Sequence, residues 1–99
     1  MARKRERSDI VLDMLLSIQE KGGRIKPTHL MYRANLAHNQ MKAYLEELVE
    51  KNFVKRIKER NFEYIILTDT GSRFAGEIKQ MKEFEKTFGL SEEKNEKEN

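Results

Sequence analysis

The chain has 99 residues, enough for one small domain, and with 37% apolar against 37% charged residues its core must be thin, so a partner chain would add stability. It lacks cysteine, which excludes disulfides and thiolate metal sites and fits a reducing or redox-indifferent compartment, and it has no apolar run near the ~20 residues needed to span a bilayer, so a cytoplasmic protein is expected. The net charge is +3, but Glu92, Glu93, Glu96 and Glu98 against Lys94 and Lys97 make residues 91–99 −2, so the first ninety are +5, a mild excess that suits a polyanion.

Residues 1–7, "MARKRER", contain Arg3, Lys4, Arg5 and Arg7 and nothing apolar enough to anchor them, which predicts a flexible basic arm. Ser8 is a candidate N-cap, and Ile10, Val11, Met14, Leu15 and Ile18 recur at helical spacing until Gly22 and Gly23. "RIK" before Pro27 predicts a short extended piece. Thr28 can cap a second, short helix ending near Ala34. Asn35 tolerates the left-handed backbone of a corner, and Leu36 is the expected buried plug.

A third helix is predicted over about residues 37–52, with Met41, Leu45, Leu48 and Val49 on its core stripe. "FVKRIKERNFEYIILT" predicts two antiparallel strands, 53–58 and 62–68, around a turn at 59–61. The last helix begins near Thr68 or Thr70, runs to about Phe88 and stops at Gly89. The tail, residues 91–99, is polar and expected to be disordered. Helix, short strand, helix, helix, hairpin, helix is the order of a winged helix-turn-helix, an α+β and mostly helical fold. Residues 8–68 form that domain and residues 69–90 a C-terminal helix that covers the core and dimerises.

In a helix-turn-helix, the amino end of the second helix meets base edges in the major groove. The third helix here suits that role. Asn39 and Gln40 are side chains that pair with adenine, His38 and Lys42 can reach bases or phosphates, and Ala43 is small enough to permit close approach. Glu46, Glu47 and Glu50 come later, where an end-on helix would be leaving the groove. A polar outer face without any partner is equally common, so the surrounding cations carry weight. Arg33 ends the second helix, and Lys58 and Arg60 sit on a hairpin that can follow a backbone or minor groove. The arm with Arg3, Lys4, Arg5 and Arg7 can do the same.

Phe74, Ile78, Met81, Phe84 and Phe88 are spaced four, three, three and four apart. Phe74 and Ile78 are expected first to cover the core. Ile78, Met81, Phe84 and Phe88 are the candidate dimerisation residues, because exposed aromatics in a row need a partner. Catalysis finds no support: His29 and His38 lack further ligands at metal spacing, and there is no phosphate loop or nucleophile motif. No cofactor is expected. His29 is expected at the surface, and Tyr32 and Tyr44 in packing roles.

"LMYRANL" over residues 30–36 and the L-T-x-x-G-x-x-F pattern of Leu67, Thr68, Gly71 and Phe74 resemble small archaeal winged-helix DNA-binding proteins. These include chromatin-associated members that dimerise through a C-terminal antiparallel coiled coil. The resemblance covers residues 8–88. It implies a homodimer, double-stranded DNA as ligand, a recognition helix over 37–52 and a wing over 55–62. One departure is Ala37, where such sequences often carry a capping Ser; its loss typically costs ~1 kcal/mol. The expected function is that of a dimeric, nucleoid-associated transcriptional regulator. The alternatives are a nucleoid-organising chromatin protein, or a winged-helix module that binds protein and not DNA.

Overall fold

The computed structural model describes residues 5–89, in the order α1 (Arg7–Glu20), β1 (Arg24–Ile25), α2 (Pro27–Arg33), α3 (His38–Glu50), β2 (Val54–Glu59), β3 (Phe62–Leu67) and α4 (Asp69–Thr87). The expected acidic tail, residues 91–99, lies outside the described residues, as do Arg3 and Lys4 of the arm.

The strands form one antiparallel sheet, β1-β3-β2, in which Ile25 pairs with Ile65 and Arg56 pairs with Ile65 from the other side. One sheet face, with Ile25, Val54 and Ile65, closes over Met14, Leu15 and Ile18 of α1, Leu30 of α2 and Leu45 and Leu48 of α3, all nearly inaccessible to water. Ala75 and Ile78 of α4 complete this core. Among the described residues no helix is long and apolar enough to cross a membrane.

Two helix starts differ from expectation. Helix α1 begins at Arg7 rather than after Ser8, because the Glu6 amide finds Asp9 Oδ2 at 3.0 Å and makes Glu6 the cap. Helix α2 begins at Pro27, with Lys26 as cap rather than Thr28. Proline at the first helical position has φ already set and no N–H to leave unsatisfied.

The helix ends share one device. After α2, Asn35 takes φ 56°, its amide donates to Tyr32 O at 3.1 Å, and the Leu36 amide donates to Met31 O at 3.0 Å. After α3, Asn52 takes φ 64°, and the Phe53 amide donates to Leu48 O at 2.9 Å. Both are Schellman endings with Asn in place of Gly, and Leu36 and Phe53 follow as the apolar residues that seal the corner.

Thr68 joins the sheet to α4. Its Oγ1 accepts from the Gly71 amide at 2.9 Å and lies within hydrogen-bond reach of Asn52 O at 2.7 Å and Phe53 O at 3.0 Å. Phe74, one turn after Gly71, stacks on Phe53 with ring centroids 4.3 Å apart. The L-T-x-x-G-x-x-F pattern therefore spells a helix cap, a close backbone approach and an aromatic seal. Gly76, on the same helix, is exposed, and a methyl there would meet nothing within 4 Å. Gly76→Ala should raise the unfolding free energy by roughly 0.5–1 kcal/mol, readable as a higher urea midpoint with an unchanged m-value.

Candidate nucleic-acid interface

The α2–α3 corner presents the amino end of α3. His38, Asn39, Gln40, Lys42 and Ala43 are all exposed, while Met41, Leu45 and Leu48 face the core. Helical spacing puts Asn39, Ala43, Glu46 and Glu50 on the stripe farthest from the core. Gln40 sits to one side, lining an open groove with Arg5, Arg7, Ser8 and Tyr44. Ala37 is the cap residue of α3 and supplies no side-chain hydrogen bond to the first-turn amides. A helix amino terminus in that state carries unsatisfied N–H groups and a partial positive charge. None of the side chains of His38, Asn39, Gln40 or Lys42 has a hydrogen-bond or ion-pair partner among the described residues.

Among the described residues five arginines are paired and two, Arg60 and Arg73, are not. Arg5, Arg7, Arg24, Arg33 and Arg56 each bind a carboxylate within the fold, on Asp13, Glu47, Glu59, Glu20 and Glu63 respectively. Arg33, expected as a DNA contact, is thus held by Glu20 at 2.6 Å. Arg5 and Arg7 do not behave as an unanchored arm. Arg5 reaches Asp13, Ala34 O and Asn35 O, and Arg7 opens α1 and forks onto both Glu47 oxygens at 2.7 and 2.8 Å. Long-range acceptors on α1, the corner and α3 anchor what the local sequence left unanchored.

The wing is more available. Lys55, Lys58 and Arg60 are exposed and unpaired among the described residues. Lys58 stands opposite Glu63, but Arg56 occupies that carboxylate at 2.6 Å. At the tip, Arg60 adopts φ 57°, a left-handed backbone uncommon outside Gly and Asn. A bulky cation in that position is held at the outermost point of the hairpin. Two cations escaped the sequence reading. Arg24 lies over Tyr64 at 4.0 Å and binds Glu59, and Lys26 lies over Phe62 at 4.4 Å. They join the wing because β1 pairs with β3. The alternation Arg24, Ile25, Lys26 carried a weak signal of this, exposed on either side of a buried residue.

The other expectations divide. Tyr32 is 72% exposed on α2 rather than packed. Tyr44 packs against the core as expected, partly buried beneath the Arg7 guanidinium, 5.3 Å from the ring centroid. Ile78 is buried within this chain, so it belongs to the core and not to a free face. Met81, Phe84 and Phe88 remain about half exposed or more, with the Phe84 and Phe88 rings 4.6 Å apart. The break comes where α4 leaves the body, at the Lys82–Asp9 ion pair of 2.7 Å.

The Glu47 carboxyl is held below its ordinary value, first by the Arg7 hydrogen bonds and then by the charges of Arg7 and Lys51, against a desolvation that raises it. A lowered folded value means that the pairing is complete above the unfolded carboxylate range and is lost as pH falls through the folded one. An NMR titration should find the Glu47 midpoint below that of an unstructured peptide of the same local sequence, with α3 still braced at pH 5.

A sequence profile of the winged helix-turn-helix matches residues 4–86. The chain belongs to that family. The winged helix-turn-helix assignment agrees with solved structures. Sso10a-2, a DNA-binding protein from Sulfolobus solfataricus, superposes with a TM-score of 0.79 over 94% of this chain and 95% of that one, at 18% identity. F93 from STIV, a winged-helix DNA-binding protein, gives 0.70 over 85% and 95% at 14% identity. The oxidised form of MarR from E. coli gives 0.64 over 92% and 79% at 19% identity. At these identities the likeness is one of fold. No curated protein sequence matches the chain significantly.

Proposed function

We propose that this protein binds double-stranded DNA as a homodimer and acts as a transcriptional regulator on the nucleoid. The observation that carries the reading is the amino end of α3. It is exposed and has no side-chain cap, and among the described residues the side chains of His38, Asn39, Gln40 and Lys42 have no partners. Elsewhere the fold pairs most of its arginines, so these groups are left for an external ligand. End-on docking puts Asn39 and Gln40 at base edges, Lys42 and His38 at the groove wall, and the wing cations Lys58 and Arg60 on the backbone or in a minor groove. Arg3 and Lys4 precede a segment pinned at the corner and would add phosphate contacts.

Met81, Phe84 and Phe88 supply the dimer contact. On a two-fold axis the same stripe meets itself, so one apolar face satisfies both chains. Two reading helices then address half-sites about one helical turn, roughly 34 Å, apart. The base-reading character of Asn39 and Gln40 and the modest net charge favour a regulator over a protein that coats DNA.

Anisotropy titration against duplex DNA at several salt concentrations tests the reading. Binding should weaken steeply with salt, by close to one unit of log–log slope per phosphate neutralised. Glu47→Gln frees Arg7 from its carboxylate, and it should steepen that slope by about one unit. No binding even at low salt would leave a protein-interaction module as the better account, with Glu46 and Glu50, unpaired among the described residues, as its polar face. Sedimentation showing a monomer at micromolar concentration would remove the dimer.

A further inference from the structure

We propose that Arg5 is a positioning residue, a clamp that fixes the α2–α3 corner and so sets where the reading end of α3 stands. This rests on the DNA-binding reading for its consequence but not for its geometry. Helix α2 has only seven residues, too few to hold its own conformation. Its corner uses the Asn35 and Leu36 amides internally, while the carbonyls of Ala34 and Asn35 receive no backbone amide among the described residues. Arg5 fills both. Nη1 donates to Ala34 O at 2.9 Å and to Asp13 Oδ2 at 2.8 Å, and Nη2 donates to Asn35 O at 2.7 Å.

One planar guanidinium thus ties α1, the end of α2 and the corner residue together. A point-charge ammonium cannot match three acceptors in that plane. Two residues later, Arg7 attaches the same segment to Glu47, on the third turn of α3. The start of the chain therefore braces the reading helix at its entry and again along its length. Arg5 spends its donors on this brace and not on phosphate.

The test uses the full chain with Arg5→Ala and Arg5→Lys. In the free protein, amide exchange at Asn35 and Leu36 should accelerate about tenfold or more in Arg5→Ala, the scale of a lost charge-assisted hydrogen bond. Exchange at core amides of Leu15 and Ile65 should hold. Arg5→Lys should not restore protection. On duplex DNA, affinity should fall roughly tenfold while the salt slope stays as in the parent chain. Unchanged exchange at Asn35 and Leu36 would overturn the clamp. So would a slope shallower by about one unit that Arg5→Lys repairs, the signature of a phosphate contact. If Arg5→Ala fails to fold, the Arg5→Lys exchange decides: protection retained at the corner overturns the clamp. Should the parent chain itself fail to bind DNA, the functional reading falls while the exchange result still judges the clamp.

Discussion

Gly71→Ala should lower the melting temperature by roughly 10–20 °C, the effect of ~3 kcal/mol of overpacking in a domain of this size. A Cβ at position 71 would lie 2.0 Å from Phe53 O, 2.9 Å from Phe53 C and 3.0 Å from Leu67 Cδ1. The first two are backbone atoms and cannot rotate away. Moving Phe53 would disturb the hydrogen bond that the Thr68 amide donates to Phe53 O at 3.1 Å, and the stack of Phe53 on Phe74. The damage therefore falls where the wing, the end of α3 and α4 meet. Circular-dichroism melts of Gly71→Ala beside Gly76→Ala provide the contrast. Two identical substitutions on one helix should shift stability in opposite directions. A Gly71→Ala chain that melts with the parent would show that this junction is loose.

The largest functional effect is expected at the first turn of α3. In Asn39→Ala/Gln40→Ala, the preference for a selected site over random duplex should collapse from ~10³ or more toward one. Each bidentate base contact supplies about 1–3 kcal/mol of discrimination, so two account for a ratio of that order. The salt slope should hold, because neither side chain is charged. The two residues are not equivalent. Asn39 lies on the outermost stripe, ahead of Ala43, whereas Gln40 turns toward the groove beside Arg5, Arg7 and Tyr44. Asn39→Ala alone should therefore remove the greater part of the preference. Competition binding with site and random duplexes measures this, and an undiminished ratio would take both residues out of the recognition scheme.

The elements themselves were legible. Apolar spacing located the four helices of the described residues, and a run rich in Phe, Val, Ile and Tyr located the hairpin. Asn35, Gly22, Gly23 and Gly89 marked breaks through their backbone preferences, and each takes a positive φ where the chain turns. Both caps lie two residues before the expected ones, because Ser8 and Thr28 are good caps only if nothing better is nearby. Asp9 reaching back to Glu6, and Pro27 opening α2, displaced them. The site was legible only in part. A run of arginines looks the same whether it is free or paired, and the carboxylates that pair Arg5, Arg7 and Arg33 lie 8, 40 and 13 residues away.

Local physics can be read from the chain, because caps, helical stripes and strand alternation act over the next two to four residues. On that basis the sequence by itself determined the winged helix-turn-helix order, the polar opening of α3 and the apolar stripe of α4. Only the tertiary structure decided which of those features remain on offer. It spent Arg5 and Arg7 as braces, paired Arg33 with Glu20, and brought Arg24 and Lys26 onto the wing. Each of those outcomes depends on a group far away in sequence and adjacent in space, a distance that no residue pattern records.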